Sequence, residues 1–320
     1  MYKSPNATMS NNKDWASIDL ESLNPSALPT TVYKPVGDPA AYDAAFPRWG
    51  APPESARSSY RVFWRMMAAN TGERTLIPAI VPPGYAHVRQ SLLSIGLQPN
   101  APTDLLVIAG VMSSLVADLT VRAAPKSSIL FGSIRRLPMV TPRLVPELAL
   151  RALRLNAVTS EYAELWSRSI LETSSNVDWT GGMSYIGRDP LTEVSASWSP
   201  RAPLRRASDR RQAQVEIDAI VALSLGITAD ELCTIYRTQF AVLYGYDRNT
   251  YLYDVNGRLV PNEVLKVWRQ KGEAISKEER TATNASGNTY EYELPFVTLD
   301  READMRQAYA HFEKILQERS

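Results

Sequence analysis

The chain has 320 residues, 44% of them hydrophobic, and its 35 basic and 34 acidic side chains leave a formal net charge of +1. This length and composition predict a globular protein with enough material for one large or two ordinary domains. Because the total charge is nearly neutral, the chain is no polycation, and any nucleic-acid surface requires a local excess of positive charge.

Cysteine and histidine are scarce: Cys233 stands alone, and His87 and His311 are the two imidazoles. A single cysteine excludes an internal disulfide framework. One thiol and two imidazoles are also too few ligands to favour a zinc cluster. The longest apolar run, near residues 105–117, is well below the roughly 20 residues that span a bilayer. We therefore expect a soluble cytoplasmic protein with no membrane contact and no metal.

Residues 1–53 are rich in Ser, Asn, Pro and Thr, and aromatic residues are scattered from Trp15 to Trp49. Large rings gain free energy by burial on another surface. We interpret this region as an irregular arm that docks on the rest of the chain or on another protein.

The second predicted unit is an α/β domain over residues 54–200. Residues 60–67 and 73–81 alternate in the manner of strands and are expected to pair across a turn at Asn70. Residues 105–117 predict a buried helix, with Ser114, Asp118 and Arg122 on one polar stripe.

Residues 128–138 are interpreted as a strand that carries Arg135 and Arg136 into a turn. Two helices are expected within residues 142–166, followed by a long non-periodic segment over residues 172–201.

The third predicted unit, residues 201–320, is helical with a small β-hairpin. Its first eleven residues, RAPLRRASDRR, contain five arginines and form the most basic window of the chain. Ser208 or Asp209 is expected to cap a helix that ends at Gly226, and Thr228 with Glu231 has the spacing of a capping box for the next helix.

Further along, Asn256 and Gly257 suggest a hairpin turn within a small sheet that begins near Tyr244. Residues 264–272 predict a short helix, residues 277–288 a polar, mobile segment, and residues 304–319 an amphipathic last helix.

Motifs for catalysis are missing from the sequence. It contains neither GxxxxGK[ST] nor GxGxxG, and it lacks the Asn/Asp-Pro-Pro-aromatic motif of amino-methyltransferases. His87 follows a Pro-Pro-Gly turn and is interpreted as a loop residue rather than a base. Glu216 and Asp218 are two residues apart and do not share a helix face. We therefore predict that this chain is not an enzyme and binds no cofactor.

The arginines are the feature that favours DNA binding, because protein–DNA interfaces combine cations that contact phosphates with a few side chains that recognise base edges. A solvated, internally paired helix start is an equally good explanation of the window 201–211. The helix pair over residues 212–240 has the outline of a helix-turn-helix, but Asp230 and Glu231 stand where a recognition helix meets phosphates. Core packing therefore explains that pair better.

Four phrases of this sequence carry a family resemblance: YRVFWRMMAANTGERTLIPAIVPP, SLVADLTVRAAPKSSILFGSIRRLPMV, LRALRLNAVTSEYAELW and RRQAQVEIDAIVALSLGITADELCTIYRTQF. Together they resemble the C-terminal target-recognition region of large adenine-specific restriction-modification methyltransferases, which include type IIG enzymes and the methylases of DISARM and BREX phage defence. The resemblance covers roughly residues 60–268. The catalytic half of those enzymes has no counterpart in this chain.

The resemblance implies a mixed-sheet α/β (α+β) target-recognition domain with a helical scaffold. It further implies a non-catalytic DNA-recognition subunit, or a segment of a split enzyme, that acts on double-stranded DNA with a separate DNA methyltransferase or defence-complex subunit. S-adenosylmethionine is then expected on that partner. The predicted DNA contacts are Arg61, Arg65, Arg74, Arg122, Arg135, Arg136, Arg201, Arg205, Arg206, Arg210 and Arg211.

Two other functions stay open at this stage. In one, the same arginines meet acidic surfaces of a protein complex, and the chain is a structural interaction subunit that never touches DNA. In the other, the chain is an unrecognised hydrolase, which would require His87 or carboxylates that no motif supports.

Overall fold

The computed structural model describes residues 2–5, 14–28, 36–69, 71–87, 91–97, 101–123, 127–140, 142–173, 177–181 and 187–319. The turn predicted at Asn70 lies outside the described residues.

Helices make up 47% of the described structure and small antiparallel sheets 12%, which confirms the α/β (α+β) class. The α-helices within the described ranges are α1 (Pro39–Ala45), α2 (Pro102–Met112), α3 (Leu115–Arg122), α4 (Phe131–Ile134), α5 (Val145–Asn156), α6 (Ala163–Thr173), α7 (Ala207–Ser224), α8 (Ala229–Gln239), α9 (Ala241–Asn249), α10 (Asn262–Lys271) and α11 (Arg301–Glu318).

The strands of the described residues form four small sheets, and every strand pair in them is antiparallel. They are β1 (Tyr2–Pro5), β2 (Trp15–Ile18), β3 (Arg48–Trp49), β4 (Glu54–Ser55), β5 (Arg61–Arg65), β6 (Pro78–Val81), β7 (Leu92–Gly96), β8 (Thr281–Thr283) and β9 (Thr289–Glu291).

The largest sheet has the order β6-β5-β7, so the two strands predicted over residues 60–67 and 73–81 do pair. In β5, Val62 and Trp64 are buried in the main core, as alternation predicts. Arg61 and Phe63 on the opposite face are buried as well. The central strand is therefore covered on both faces.

The predicted buried helix over residues 105–117 is a bent pair, because α2 ends at Met112 and α3 begins at Leu115, with 61° between them. Ser114 caps the second helix, since its Oγ accepts a hydrogen bond from Ala117 N at 3.1 Å. Among the described residues no single helix is long and apolar enough to cross a membrane. The bent pair of α2 and α3 reaches the required length and apolar composition only when its two halves are counted together.

The strand predicted over residues 128–138 is wrong. Only Ser128 forms a β-bridge, to Met67, and the chain then turns into α4. The apolar run 129–134 is too short for its periodicity to separate a strand from a helical turn. Arg135 and Arg136 consequently follow the end of a helix.

The arm predicted at the N-terminus docks on its own chain over residues 14–28, which we call the strap. Leu20 of the strap is buried, and Pro25 O accepts a hydrogen bond from Ser160 N at 2.8 Å. Asp19 Oδ2 accepts from Tyr290 Oη at 2.6 Å, so the strap joins the helical body to the C-terminal hairpin.

Helix α7 begins at Ala207, and neither Ser208 nor Asp209 caps it. Both are buried inside the first turn, where Asp209 forms an ion pair with Arg188 at 3.1 Å. The predicted stop at Gly226 is confirmed by its φ of +70°, a conformation that favours glycine. The capping box of Thr228 and Glu231 is also confirmed.

The main hydrophobic core takes residues from Val62 to Phe312, so it crosses the predicted boundary between residues 200 and 201. A second, smaller core lies between Leu252 and Phe296.

The sheet predicted from Tyr244 onward starts later, because α9 occupies residues 241–249. Within the segment predicted to be mobile, β8 pairs with β9 in a hairpin. The two predicted helices over residues 264–272 and 304–319 are present as α10 and α11.

Candidate nucleic-acid interface

Two of the predicted DNA-contacting arginines are buried in the protein. Arg61 is 2% exposed, donates to Tyr85 O, and lies 4.9 Å from the centre of the Phe63 ring. Burial, and next the charge of Arg57, lowers the pKa of Arg61 to about 10. A side chain enclosed in this way has no surface to offer to a phosphate.

Arg211 is the second buried arginine, with 4% exposure. Its Nη1 lies 2.5 Å from Asp304 Oδ2, and its Nη2 donates to Leu299 O at 3.3 Å. These bonds fasten α7 to α11 and to Leu299, two residues before α11 begins. Arg61 and Arg211 therefore stabilise the fold, and the prediction that they contact DNA has no support from their position.

Arg74 and Arg122 share the buried carboxylate of Asp118. Arg74 Nε lies 2.9 Å from Asp118 Oδ2, and Arg122 Nε lies 3.4 Å from Oδ1. The same carboxylate accepts hydrogen bonds from the backbone N–H groups of Thr75 and Leu76. The predicted bracing of Arg122 by Asp118 is thus present, and it ties α3 to the segment leading into β6.

Most of the basic window 201–211 is also occupied by internal contacts. Arg205 donates to Leu20 O at 2.5 Å, Arg206 to Gly187 O at 2.9 Å and Arg210 to Leu155 O at 3.0 Å. Guanidinium groups suit this role, since one fork can satisfy several backbone carbonyls at once. The arginines of this window therefore connect loops and the strap to the start of α7. This agrees with the interpretation that the window is an internally paired helix start.

Arg65, Arg135, Arg136 and Arg201 remain accessible. Arg135, Arg136 and Arg201 are exposed, and Arg65 is half-buried with Nε donating to Met67 O at 3.2 Å. Within the part of the chain that the structure describes, no ion pair involves any of these four side chains. They are the predicted contacts that a ligand can reach.

Three of these accessible arginines lie on or next to neighbouring segments, because the end of β5 pairs with the segment before α4. Ile129 N donates to Met66 O at 2.7 Å, and Ala68 N donates to Ser127 O at 3.1 Å. We call the result the basic-apolar surface, and it consists of Arg65, Met67, Leu130, Phe131, Arg135 and Arg136. Arg201 lies outside this set.

The basic-apolar surface has a local excess of positive charge. From Leu119 to Pro146 the sequence contains no Asp or Glu, whereas it contains Arg122, Lys126, Arg135, Arg136 and Arg143. Its apolar members are also exposed: Met67 by 61%, Leu130 by 49% and Phe131 by 47%. Exposed apolar side chains beside unpaired cations mark a surface suited to a partner that is anionic, apolar or both.

His87 and Cys233 both lie in environments that disfavour the charged form of their side chains. His87 Nε2 lies 2.9 Å from Ser94 Oγ, and its ring meets Phe63 edge to face, while burial lowers the pKa of the imidazole. Burial raises the pKa of the Cys233 thiol, which disfavours the thiolate. In the described ranges, no three His, Cys, Asp or Glu side chains are grouped to hold a metal ion.

Sequence reasoning missed the buried charges of the helical core. Arg151 and Glu216 form a fully buried ion pair at 2.6 Å, and Arg301 pairs with Asp247 at 2.5 Å. Glu216 and Asp218 indeed point to different partners, since Asp218 accepts from Leu115 N at 2.6 Å. The two arginines of the otherwise apolar stretch LALRALRL, Arg151 and Arg154, are the signal that suggests buried partners.

Asp218 gives a testable pH dependence. Burial raises the pKa of its carboxyl from 3.8 to about 6, against the opposing charges of Arg74 and Arg301, and among the described residues its Oδ2 has no hydrogen-bond partner. Since the folded state holds this proton more tightly, the contribution favours folding at low pH and is lost as pH rises through about 6.

We expect Asp218→Asn to gain stability relative to the unmodified protein as the pH is raised from about 4 to about 8, by an amount on the order of 1–3 kcal/mol. Urea unfolding at both pH values measures the difference, and Asp189→Asn on the exposed surface is the control. An equal difference at the two pH values would show that Asp218 titrates as it does in the unfolded chain.

Comparisons with protein-family models, with curated proteins and with solved structures found no match to this chain. The resemblance to target-recognition regions therefore stays a prediction that rests on the quoted phrases.

Proposed function

We propose that this chain is a non-catalytic DNA-recognition subunit, or segment, that works in the cytoplasm with a separate adenine-specific DNA methyltransferase or phage-defence complex. Double-stranded DNA is its ligand, and S-adenosylmethionine binds to the partner enzyme. The observation that carries the proposal is the basic-apolar surface, where Arg65, Arg135 and Arg136 have no carboxylate partner among the described residues.

The proposed DNA contact is the basic-apolar surface, whereas charge counting alone would place it at the basic window 201–211. Arginines in the window 201–211 bond mainly to backbone carbonyls, so they orient the scaffold. Arg135 and Arg136 follow a short helix that Trp64 helps to fix, because its indole Nε1 donates to Ile129 O at 2.9 Å. The backbone leading into the helix that precedes the two arginines is thus held in place, and their exposed guanidinium groups can bind phosphate oxygens.

The proposal predicts that replacing Arg65, Arg135 and Arg136 together by Gln weakens binding of duplex DNA about tenfold or more at low salt, because three phosphate contacts are removed. Fluorescence anisotropy with a labelled mixed-sequence duplex measures the affinity. The matched control replaces three exposed cations elsewhere, Lys266, Arg269 and Lys314, by Gln.

The control removes the same number of positive charges, but at positions outside the basic-apolar surface. Undiminished affinity in this control, with a clear loss in the first variant, is the expected pattern. Equal losses in both variants, or no binding of duplex by the unmodified chain at low salt, would contradict the proposal.

A second candidate function is supported by the apolar half of the same surface. Exposed Met67, Leu130 and Phe131 are suited to burial against another protein, which favours a structural subunit of such a complex that does not contact DNA. Substitution of Arg205 or Arg206 would not separate the two functions, because both side chains donate to backbone carbonyls of the chain itself. Leu130→Ser with Phe131→Ser does: loss of assembly in this variant, together with no binding of duplex DNA by the unmodified chain, identifies the structural subunit.

A further inference from the structure

Two cavities share part of their lining, and residues of the strap line one of them, whereas no residue of the basic-apolar surface lines either. The apolar chamber has a volume of about 360 Å³, with Ile18, Leu20 and Leu23 of the strap on one side and Leu76, Ile80 and Leu155 among its other walls. The polar chamber, of about 240 Å³, is lined in part by Glu73, Arg211, Asp247, Tyr251 and Arg301. Arg74, Arg210 and Gln214 line both chambers.

These three shared side chains form a junction with hydrogen-bonding capacity. Arg210 and Gln214 are four residues apart on α7 and so lie on one face of that helix. The side-chain amide of Gln214 has no hydrogen-bond partner among the described residues, and Nη1 of Arg74 has none either. Donors are thus present at the place where the apolar and polar walls meet.

The charge at the junction favours an anion. Arg74 and Arg122 share the carboxylate of Asp118, and Asp218, which also interacts with Arg74, is fully buried and lines neither chamber, whereas Arg74 and Arg210 line both. In the polar chamber the carboxylates already have partners: Glu73 Oε1 accepts from Tyr251 Oη at 2.7 Å, and Asp247 is bonded to Arg301. An anionic group therefore meets guanidinium and amide donors before it meets a carboxylate.

The strap lines one side of the apolar chamber and is held by contacts with the C-terminal hairpin region. Glu21 forms an ion pair with Arg258 at 2.9 Å, and Asp19 accepts from Asn284, Asn288 and Tyr290. An apolar chamber with a few convergent polar groups at one end is the usual form of a small-molecule site.

We propose that the two chambers bind a small amphiphilic anion, with its apolar body in the apolar chamber and its carboxylate or phosphate monoester against Arg74, Arg210 and Gln214. The site lies apart from the proposed DNA surface and does not depend on it.

Isothermal titration calorimetry with octanoate, octyl phosphate and octylammonium tests this site. Octanoate or octyl phosphate is expected to bind, and the stronger of the two identifies the headgroup, whereas octylammonium is expected to bind at least tenfold more weakly because its charge opposes the arginines. Octylammonium binding as tightly as the anions would overturn the proposal, and so would the absence of heat with all three.

Gln214→Glu is the decisive variant, since it places a negative charge at the junction without removing a hydrogen bond of the described chain. We expect it to weaken binding of the anion about tenfold or more, while Gln270→Glu, the same change on an exposed face, has no effect. Leu23→Trp fills the apolar chamber from the strap and is expected to abolish binding with an unchanged far-ultraviolet circular dichroism spectrum. Unchanged affinity in Gln214→Glu or in folded Leu23→Trp would contradict the site.

Discussion

Replacing Arg151 by Met is expected to lower the free energy of unfolding by about 3–5 kcal/mol, because it leaves the carboxylate of Glu216 buried without its cation. Both side chains are fully buried, and they meet at 2.6 Å. Arg151 also donates to Glu147 O at 2.8 Å and to Asp178 O at 2.9 Å. One guanidinium thus links α5 and α7 to the loop that follows α6.

The double variant Arg151→Met with Glu216→Leu tests whether the lost charge balance causes the effect. Removing both charges avoids an isolated buried ion, so we expect the double variant to be more stable than the sum of the single effects predicts. Recovery is incomplete, since Glu216 also accepts from Thr180 and Gln212. Urea unfolding measures all the variants, and a cost below about 1 kcal/mol for Arg151→Met would place the pair in a solvated environment.

Asp118→Ala is the second large effect, with an expected loss of about 3–5 kcal/mol. This substitution leaves two guanidinium groups, Arg74 and Arg122, without their shared carboxylate. It also leaves the backbone N–H groups of Thr75 and Leu76 without an acceptor. The segment between β5 and β6 should therefore loosen along with the loss of global stability.

Amide hydrogen exchange at Thr75 and Leu76, together with urea unfolding, measures the effect of Asp118→Ala. Asp118→Asn keeps one acceptor oxygen and should cost less, while Asp104→Ala in the first turn of α2 is the exposed control, expected to stay within about 1 kcal/mol of the unmodified protein. Unchanged exchange at both amides would mean that Asp118 does not hold this segment.

Local patterns predicted the elements that depend on local physics. Alternation placed β5, the spacing of Thr228 and Glu231 placed the start of α8, and Gly226 marked the end of the helix before it. Each of these features depends on residues within a few positions of one another. Residues 128–138 were assigned wrongly, because a short apolar run has the same local pattern in a strand and in a helical turn.

The candidate site was harder to predict, because the role of an arginine depends on distant partners. Arg211 is paired with Asp304, Arg205 with Leu20 O, and Arg74 with Asp118, all far away in the sequence. Counting charge in the window 201–211 finds the cations but not these partners. Arg135 and Arg136 stand in a segment without any acidic residue, and this feature of the sequence does indicate exposed, unpaired charge.

The proposed DNA contact at the basic-apolar surface is tested most directly by the salt dependence of duplex binding. Each phosphate contact contributes about 0.9 to the slope of log affinity against log salt, so Gln at Arg65, Arg135 and Arg136 is expected to reduce the magnitude of that slope by about 2–3. The control with Gln at Lys266, Arg269 and Lys314 should keep the slope of the unmodified protein. Identical slopes for the unmodified protein and both variants would show that DNA does not bind at this surface.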